Sequence, residues 1–222
     1  MMMNQTKAPN FRDYSSSILQ SKVKRLAKQS TVRDVCVFIS QKGGFLKYLT
    51  PLERDYAICL DAAPEVSSYA PYPQFKCFIN GIECSVAPTF QIMYADEKTA
   101  LVDVIYSKNS RKLSKTRRAQ VDLLCDQHGY DYKIITELEL YADSTVENLR
   151  SLRALAGSQP PFDVFQTIRP LLPSESFSYQ TLIATLDSAG VSRTYLKRLL
   201  AHRLISFDHR LSFADSNYRV EA

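Results

Sequence analysis

The sequence predicts an α/β domain followed by a smaller, mainly helical one. Three observations lead there. Short β-branched and aromatic runs, each bounded by turn residues, fill the chain between Val32 and Tyr106. A helix with several agreeing start signals sits among them at Thr50. A second helical pattern, Lys115 to His128, leads into one further strand-like run, Tyr132 to Thr136. Near Asp143 the pattern changes, and helical periodicity dominates as far as His202. The 222 residues thus divide into a basic N-terminal arm (1–30), an α/β domain (31–142) and a C-terminal domain (143–222).

The elements follow in order. The arm carries Lys22, Lys24, Arg25 and Lys28, which suit either a solvated segment or contact with DNA. Val32 to Ser40 is β-branched and predicts a strand, and Gln41 to Gly44 predicts a turn. At Thr50-Pro51-Leu52-Glu53 the threonine caps, the proline suits the first helical position and the glutamate completes a capping box. Leu52, Tyr56, Cys59, Leu60 and Ala63 then share one face, and Pro64 ends the helix. Strands are expected at Val66–Tyr72, Phe75–Ile79 and Ile82–Val86, the last two joined by Asn80-Gly81. Phe90–Tyr94 and Leu101–Tyr106 form another pair around the turn Ala95–Lys98. From Ser107 to Arg118 there are six basic residues and no acid, and the helix Lys115–His128 closes at Gly129. A strand–helix–strand crossover completes this domain.

In the C-terminal part, helices are expected at Thr145–Leu155, Phe162–Leu171, Tyr179–Leu186 and Val191–His202. A strand at Leu204–Asp208 and a returning one at Tyr218–Val220 follow. Helix–turn–helix and then a strand pair is the winged-helix pattern. On its last helix Leu196, Leu199 and Leu200 face the core, leaving Arg193, Tyr195, Lys197, Arg198 and His202 for a DNA groove or backbone. The same module also suits protein docking, and the tip between Asp208 and Asn217 has few basic residues beyond His209 and Arg210.

Composition excludes several classes. The cysteines (Cys36, Cys59, Cys77, Cys84, Cys125) lack CxxC spacing and a histidine at zinc-ligand distance, so reduced core thiols of a cytoplasmic protein are expected. No run approaches the about 18 apolar residues of a membrane span, and Met1 to Asn10 lack the apolar core of a signal peptide, so none is expected there. The three histidines form no nucleophilic triad, and Gly43-Gly44 makes no phosphate loop.

One residue resists this bland description. Asp103 lies inside Leu-Val-Asp-Val-Ile-Tyr, and burying an acid there costs several kcal/mol unless it is paired, hydrogen-bonded or bound to metal. The hairpin Pro88-Thr89-Phe90 to Tyr106 resembles the PD-(D/E)xK nuclease motif, with Asp103 as the second-line acid. More widely, the chain resembles the TnsA family, the endonuclease subunit of heteromeric DNA transposons. The resemblance rests on Leu52-Glu53-Arg54-Asp55-Tyr56, Asp61 to Tyr69, the Asn80-Gly81 turn, Pro88-Thr89-Phe90, His128-Gly129-Tyr130 and Ile134-Ile135-Thr136-Glu137, in that order.

The resemblance implies a restriction-endonuclease-like α/β domain followed by a winged-helix-like one. It also implies catalytic and metal-binding positions at Glu53 (helix acid), Thr89 (hairpin aspartate), Asp103 and Ile105 (lysine). Thr89 and Ile105 depart from the motif. A threonine brings no charge against a divalent ion, and an isoleucine can neither orient water nor stabilise developing charge. Glu53 and Asp103 alone suit at most weakly bound magnesium, and each has a structural alternative: the capping box for Glu53 and a buried basic partner for Asp103. The resemblance implies DNA (transposon ends), a DDE-type transposase and an AAA+ regulator as partners, with no membrane partner. Lys108, Arg111, Lys112, Lys115, Arg117, Arg118, Arg193, Lys197 and Arg198 are the candidate DNA contacts. The expectation is a subunit without strand cleavage of its own. Two alternatives stay open. One is an active endonuclease with migrated groups (Glu83 or Asp55 with Lys76, Lys108 or Lys133), and the other is a stand-alone winged-helix regulator.

Overall fold

The structure is a computed structural model that describes residues 36–48, 50–79, 82–110 and 115–221. The expected basic arm, the start of the Val32 strand, the Asn80-Gly81 turn, Arg111 and Lys112 lie outside the described residues, as does the side chain of Lys115. The chain divides into two compact units, residues 1–54 with 64–135 and residues 55–63 with 136–222.

The first unit begins with an antiparallel hairpin, β1 (Cys36–Ser40) and β2 (Gly44–Tyr48), in the register Phe38↔Leu46 and Ile39↔Phe45. The turn is built by Ser40, whose Oγ accepts from the amides of Lys42 and Gly43. Gly44 adopts a φ of 71°, where a side chain would be strained. The sequence predicts the turn and the strand before it, of which Cys36–Ser40 is described as β1. β2 escaped notice because Gly44-Phe45-Leu46-Lys47-Tyr48 begins on a glycine.

Helix α1 (Pro51–Ala62) starts as its signals predict. The amide of Glu53 donates to Thr50 Oγ1 at 3.2 Å, and the amide of Thr50 donates to Glu53 Oε2 at 3.1 Å. Strands β3 (Val66–Pro71), β6 (Phe90–Tyr94), β7 (Thr99–Val104) and β8 (Asp131–Ile135) form a sheet in the order β3-β6-β7-β8. The β3–β6 and β6–β7 pairings are antiparallel, while β7–β8 is parallel. The parallel pair is joined through the short helix α2 (Ser107–Ser110) and α3 (Lys115–His128). Gly129, at φ 68°, ends α3. Strands β4 (Phe75–Ile79) and β5 (Ile82–Val86) form a separate hairpin.

The pleat then sorts the site. On β7, Leu101 and Asp103 share one face, while Ala100, Val102 and Val104 share the other. On the Leu101 face a core forms from Val121, Leu124 and Cys125 of α3 with Cys77 and Val86 of the hairpin. Asp103 therefore sits beneath the helix-covered face of the sheet.

The second unit takes up Asp55–Ala63 of α1 and then α4 (Glu137–Leu140), α5 (Thr145–Ala156), α6 (Phe162–Ile168), a 3-10 turn (Arg169–Leu171), β9 (Phe177–Ser178), α7 (Tyr179–Ser188), α8 (Tyr195–Ala201), β10 (Ile205–Phe207) and β11 (Asn217–Val220). Against the expected start at 143, residues 136–142 group with this unit: Thr136 and Glu139 form a capping box, and Tyr141 donates to Asp55. The three strands run β10-β11-β9, all antiparallel. Leu182, Leu186, Leu199, Ile168, Ile205 and Tyr218 are its fully buried centre.

Two expectations are corrected and one element is added. The helix expected over Phe162–Leu171 changes to a 3-10 turn after Ile168, because Pro170 has no amide to continue the α-helical ladder. The helix expected from Val191 begins only at Tyr195. Gly190 turns the chain at φ 67°, and Ser192 and Thr194 bond to each other locally instead of entering a helix. β9 was not anticipated: at two residues it is too short to have a pattern, and Ser178 doubles as the cap of α7, accepting from the Thr181 amide at 3.2 Å.

No helix among the described residues is long and apolar enough to cross a membrane.

His209 gives this unit a pH dependence. Its Nδ1 is buried without a hydrogen-bond partner, and burial holds its pKa below the usual 6.5, with Arg203 adding and Asp208 opposing. The unfolded chain therefore takes up the proton first as pH falls. The contribution is fully present above about 6.5 and is lost as pH drops from there to the folded value. Urea midpoints of the second unit should decline over that window and decline less in His209→Leu. An equal decline in both would show that other groups control the profile.

Candidate functional site

Asp103 is almost fully enclosed, and all of its contacts are donors. Arg117 Nη2 lies 2.9 Å from Oδ1 and 3.0 Å from Oδ2. Tyr132 OH donates to Oδ2 at 2.8 Å, and the Thr89 amide donates to Oδ1 at 3.1 Å. The Asp103 side chain is 3% exposed, while that of Arg117 is 33% exposed. Local geometry explains how the partners meet. Arg117 lies one turn before Val121 on α3, so it shares the stripe that faces the sheet. Tyr132 is the cross-strand partner of Leu101 on β8, the register position beside Asp103 on the same face. Burial first, and then the negative charge of Asp103, push the Tyr132 hydroxyl well above the usual tyrosine range, which keeps it a proton donor.

Thr89, which the resemblance sets where the hairpin aspartate is expected, braces strands. Its hydroxyl accepts from the Val104 amide at 3.1 Å and reaches Asp103 Oδ1 at 3.4 Å, while its carbonyl accepts from the Tyr72 amide at 2.8 Å. Tyr72 then connects to Glu53, the helix acid the resemblance implies, because its hydroxyl donates to Glu53 Oε2 at 2.6 Å. Tyr72 is buried and held at φ 49°, an uncommon conformation for an aromatic residue and a strain maintained by bonds at both ends. A continuous series of hydrogen bonds thus runs Glu53–Tyr72–Thr89–Asp103–Arg117.

With Arg117 in place, this donor set does not fit a divalent ion. Magnesium needs near-octahedral oxygen donors with free lone pairs. Both oxygens of Asp103 are engaged by a cation and neutral donors. Glu53 Oε2 serves its own helix cap and Tyr72. Among the described residues no group of three or more His, Cys, Asp or Glu side chains is arranged to hold a metal. Ile105, where the resemblance would expect a lysine, follows the end of β7, and its amide donates to the Ile135 carbonyl.

Three of the groups considered for migration, Lys76, Glu83 and Asp55, are engaged elsewhere. Lys76 and Glu83 pair across the β4–β5 hairpin at 2.6 Å. Asp55 is bound by Arg150 and Tyr141 in the second unit. Lys133 is the partner of Val102, on the other face of the sheet from Asp103.

The candidate DNA contacts divide in the same way. Lys108 is exposed, with its ammonium 5.8 Å from the Tyr106 ring, and Arg118 is exposed on α3. Arg117 is turned inward to Asp103 and to the Ala87 carbonyl, where Nη2 lies 3.1 Å away. In the second unit Arg193 is bidentate on Asp187 at 3.0 and 2.6 Å. Arg198 stacks 5.1 Å from Tyr195 and donates to the Gln159 carbonyl. Lys197 is exposed but lies over Phe213 at 5.3 Å.

No protein-family model and no curated protein matches the chain. The geometry therefore stands on its own residues. Sequence reasoning missed Tyr72 and Tyr132 altogether and counted Arg117 as a phosphate contact. One signal was available for Arg117: it precedes Val121, Leu124 and Cys125 at helical spacing, a cation in line with an apolar stripe.

Proposed function

We propose that this chain is a cytoplasmic, TnsA-like subunit of a DNA transposition machinery that binds transposon-end DNA and its partner proteins without cutting DNA itself. The carrying observation is Arg117. A guanidinium holds both oxygens of the motif acid retained on β7, where cleavage chemistry would require a metal. The order α1-β3-β6-β7-α3-β8, with its last pair parallel, supports the endonuclease-like reading of the first unit. The order helix–strand–helix–helix–strand–strand of the second supports the winged-helix reading. A DDE-type transposase and an AAA+ regulator are the partners this reading requires.

DNA contact is assigned chiefly to the exposed cations beside the sheet, Lys108 and Arg118. Such contacts hold phosphates without reading sequence. Removing both should weaken binding similarly on all sequences. It should also reduce the slope of log Kobs against log salt by about 2, at roughly 0.9 for each phosphate no longer neutralised. An unchanged slope would remove these residues from the interface.

The cleavage arm of the test uses the full chain with end DNA and partners in magnesium or manganese. No nicking attributable to this chain is expected, and nicking abolished by Glu53→Ala and Asp103→Ala would overturn the reading. The winged-helix order also favours a stand-alone DNA-binding regulator. Sequence-selective binding without any transposase partner would favour that role, whereas co-purification with a transposase or AAA+ ATPase would oppose it.

A further inference from the structure

We propose that Arg117 is the built-in cation of an oxygen cage that would otherwise accept a divalent metal ion, so that the site is closed by occupancy as well as by its missing motif groups. This deepens the non-cleaving reading of the site and rests on that part of it alone, independent of the DNA and transposase partners.

The cage is defined around a single nitrogen. Arg117 Nη2 has three oxygens about it: Asp103 Oδ1 at 2.9 Å, Asp103 Oδ2 at 3.0 Å and the Ala87 carbonyl at 3.1 Å. A bidentate carboxylate and a backbone carbonyl are hard donors of the kind that magnesium and manganese accept, with water completing the shell. The remaining contacts of Asp103 keep those oxygens in place whichever cation is present. Tyr132 and the Thr89 amide are neutral donors held by strand register and by the Thr89–Val104 bond.

The cation itself is the removable part. Asp103 is 3% exposed, but the Arg117 side chain is 33% exposed and enters from the solvent side. Its helix is anchored separately by Val121, Leu124 and Cys125. A guanidinium and a metal ion compete for the same lone pairs, and the tethered one has no entropy of association to overcome. Wild-type protein should therefore exclude divalent ions from this position.

The test removes the tether and asks what replaces it. Full-length wild type, Arg117→Met, Arg117→Gln and Arg117→Met/Asp103→Asn are titrated with terbium and with manganese. The chain has no tryptophan, so terbium emission is sensitised by tyrosine, and the part of it lost in the double variant reports an ion close to Tyr132. Thermal melting is followed in parallel, with and without manganese. The expected result is at least tenfold tighter terbium and manganese binding in both single variants than in wild type. Manganese should raise their melting temperatures, and both effects should vanish in the double variant.

Equal binding by wild type would show that Arg117 does not occlude the cage. Folded single variants without any gain would show that the cage does not take metal, and binding retained in the double variant would place the ion elsewhere. If a single variant folds poorly, manganese present during refolding should restore it, and failure to do so counts against the proposal. DNA cleavage by wild type would sink the non-cleaving function but leave these binding comparisons readable.

Discussion

Replacing Arg117 with methionine should lower the stability of the first unit by about 3 kcal/mol, the low end for breaking a buried ion pair from one side. The low end applies because the arginine is 33% exposed, and water can reach part of the space it leaves. The cost comes from Asp103, 3% exposed in the wild type and then left with Tyr132 and Thr89 as its donors among these partners. A second substitution separates charge from hydrogen bonding. Asp103→Asn keeps an amide oxygen for the Thr89 amide while removing the uncompensated charge. Arg117→Met/Asp103→Asn should therefore recover at least half of the loss. Urea unfolding followed by tyrosine fluorescence and by amide exchange in β7 would measure both. A single variant within about 0.5 kcal/mol of wild type, the range of ordinary surface changes, would mean that the pair is not what compensates the buried acid.

Legibility from sequence followed the range of the interactions. The start of α1 was readable because every group in its capping box lies within Thr50–Glu53, and the bonds form as the spacing implies. The bounds of α3, Lys115 to His128, were readable because Gly129 supplies the left-handed stop. Asp103 was identifiable as an acid needing a partner because apolar strand residues flank it. Which partner it takes depends on the register between β7 and β8 and on the rotation of α3, and neither is written in local spacing. The same limit hid Tyr72, whose role arises from a backbone bond to Thr89 and a side-chain bond to Glu53, far apart in sequence. Charge counting was the least reliable guide. A basic run without acids suggested phosphate contacts, yet one of its members serves an internal acid on a strand outside that run.

A second large effect is expected where Asp55 is held in the other unit. Asp55 is fully buried, and Arg150 approaches it with two nitrogens, Nε to Oδ1 at 2.9 Å and Nη2 to Oδ2, while Tyr141 donates to Oδ2. Arg153, one turn further along α5, makes a similar contact to Asp61 at 3.0 Å. Arg150→Met leaves Asp55 with Tyr141 as its remaining donor among these partners and should cost about 3–5 kcal/mol. Asp55→Asn should cost less, because the amide oxygen still accepts from Arg150 and no negative charge is stranded. Cys59 provides a local readout. Burial, and then Asp55 and Asp143, push its thiol up to about 12, so the folded thiol is a weak nucleophile and opening, which restores an ordinary thiol, raises its reactivity. A loss of about 3 kcal/mol corresponds to roughly 100-fold faster Cys59 alkylation, since 1.36 kcal/mol is tenfold. Peptide mapping would separate Cys59 from the other cysteines. Unchanged Cys59 reactivity in Arg150→Met would show that this ion pair contributes nothing net to holding α1 residues Asp55–Ala62 in the unit. A hundredfold change, with a smaller one in Asp55→Asn, would establish that the stranded charge, and not lost packing of the arginine stem, controls the opening.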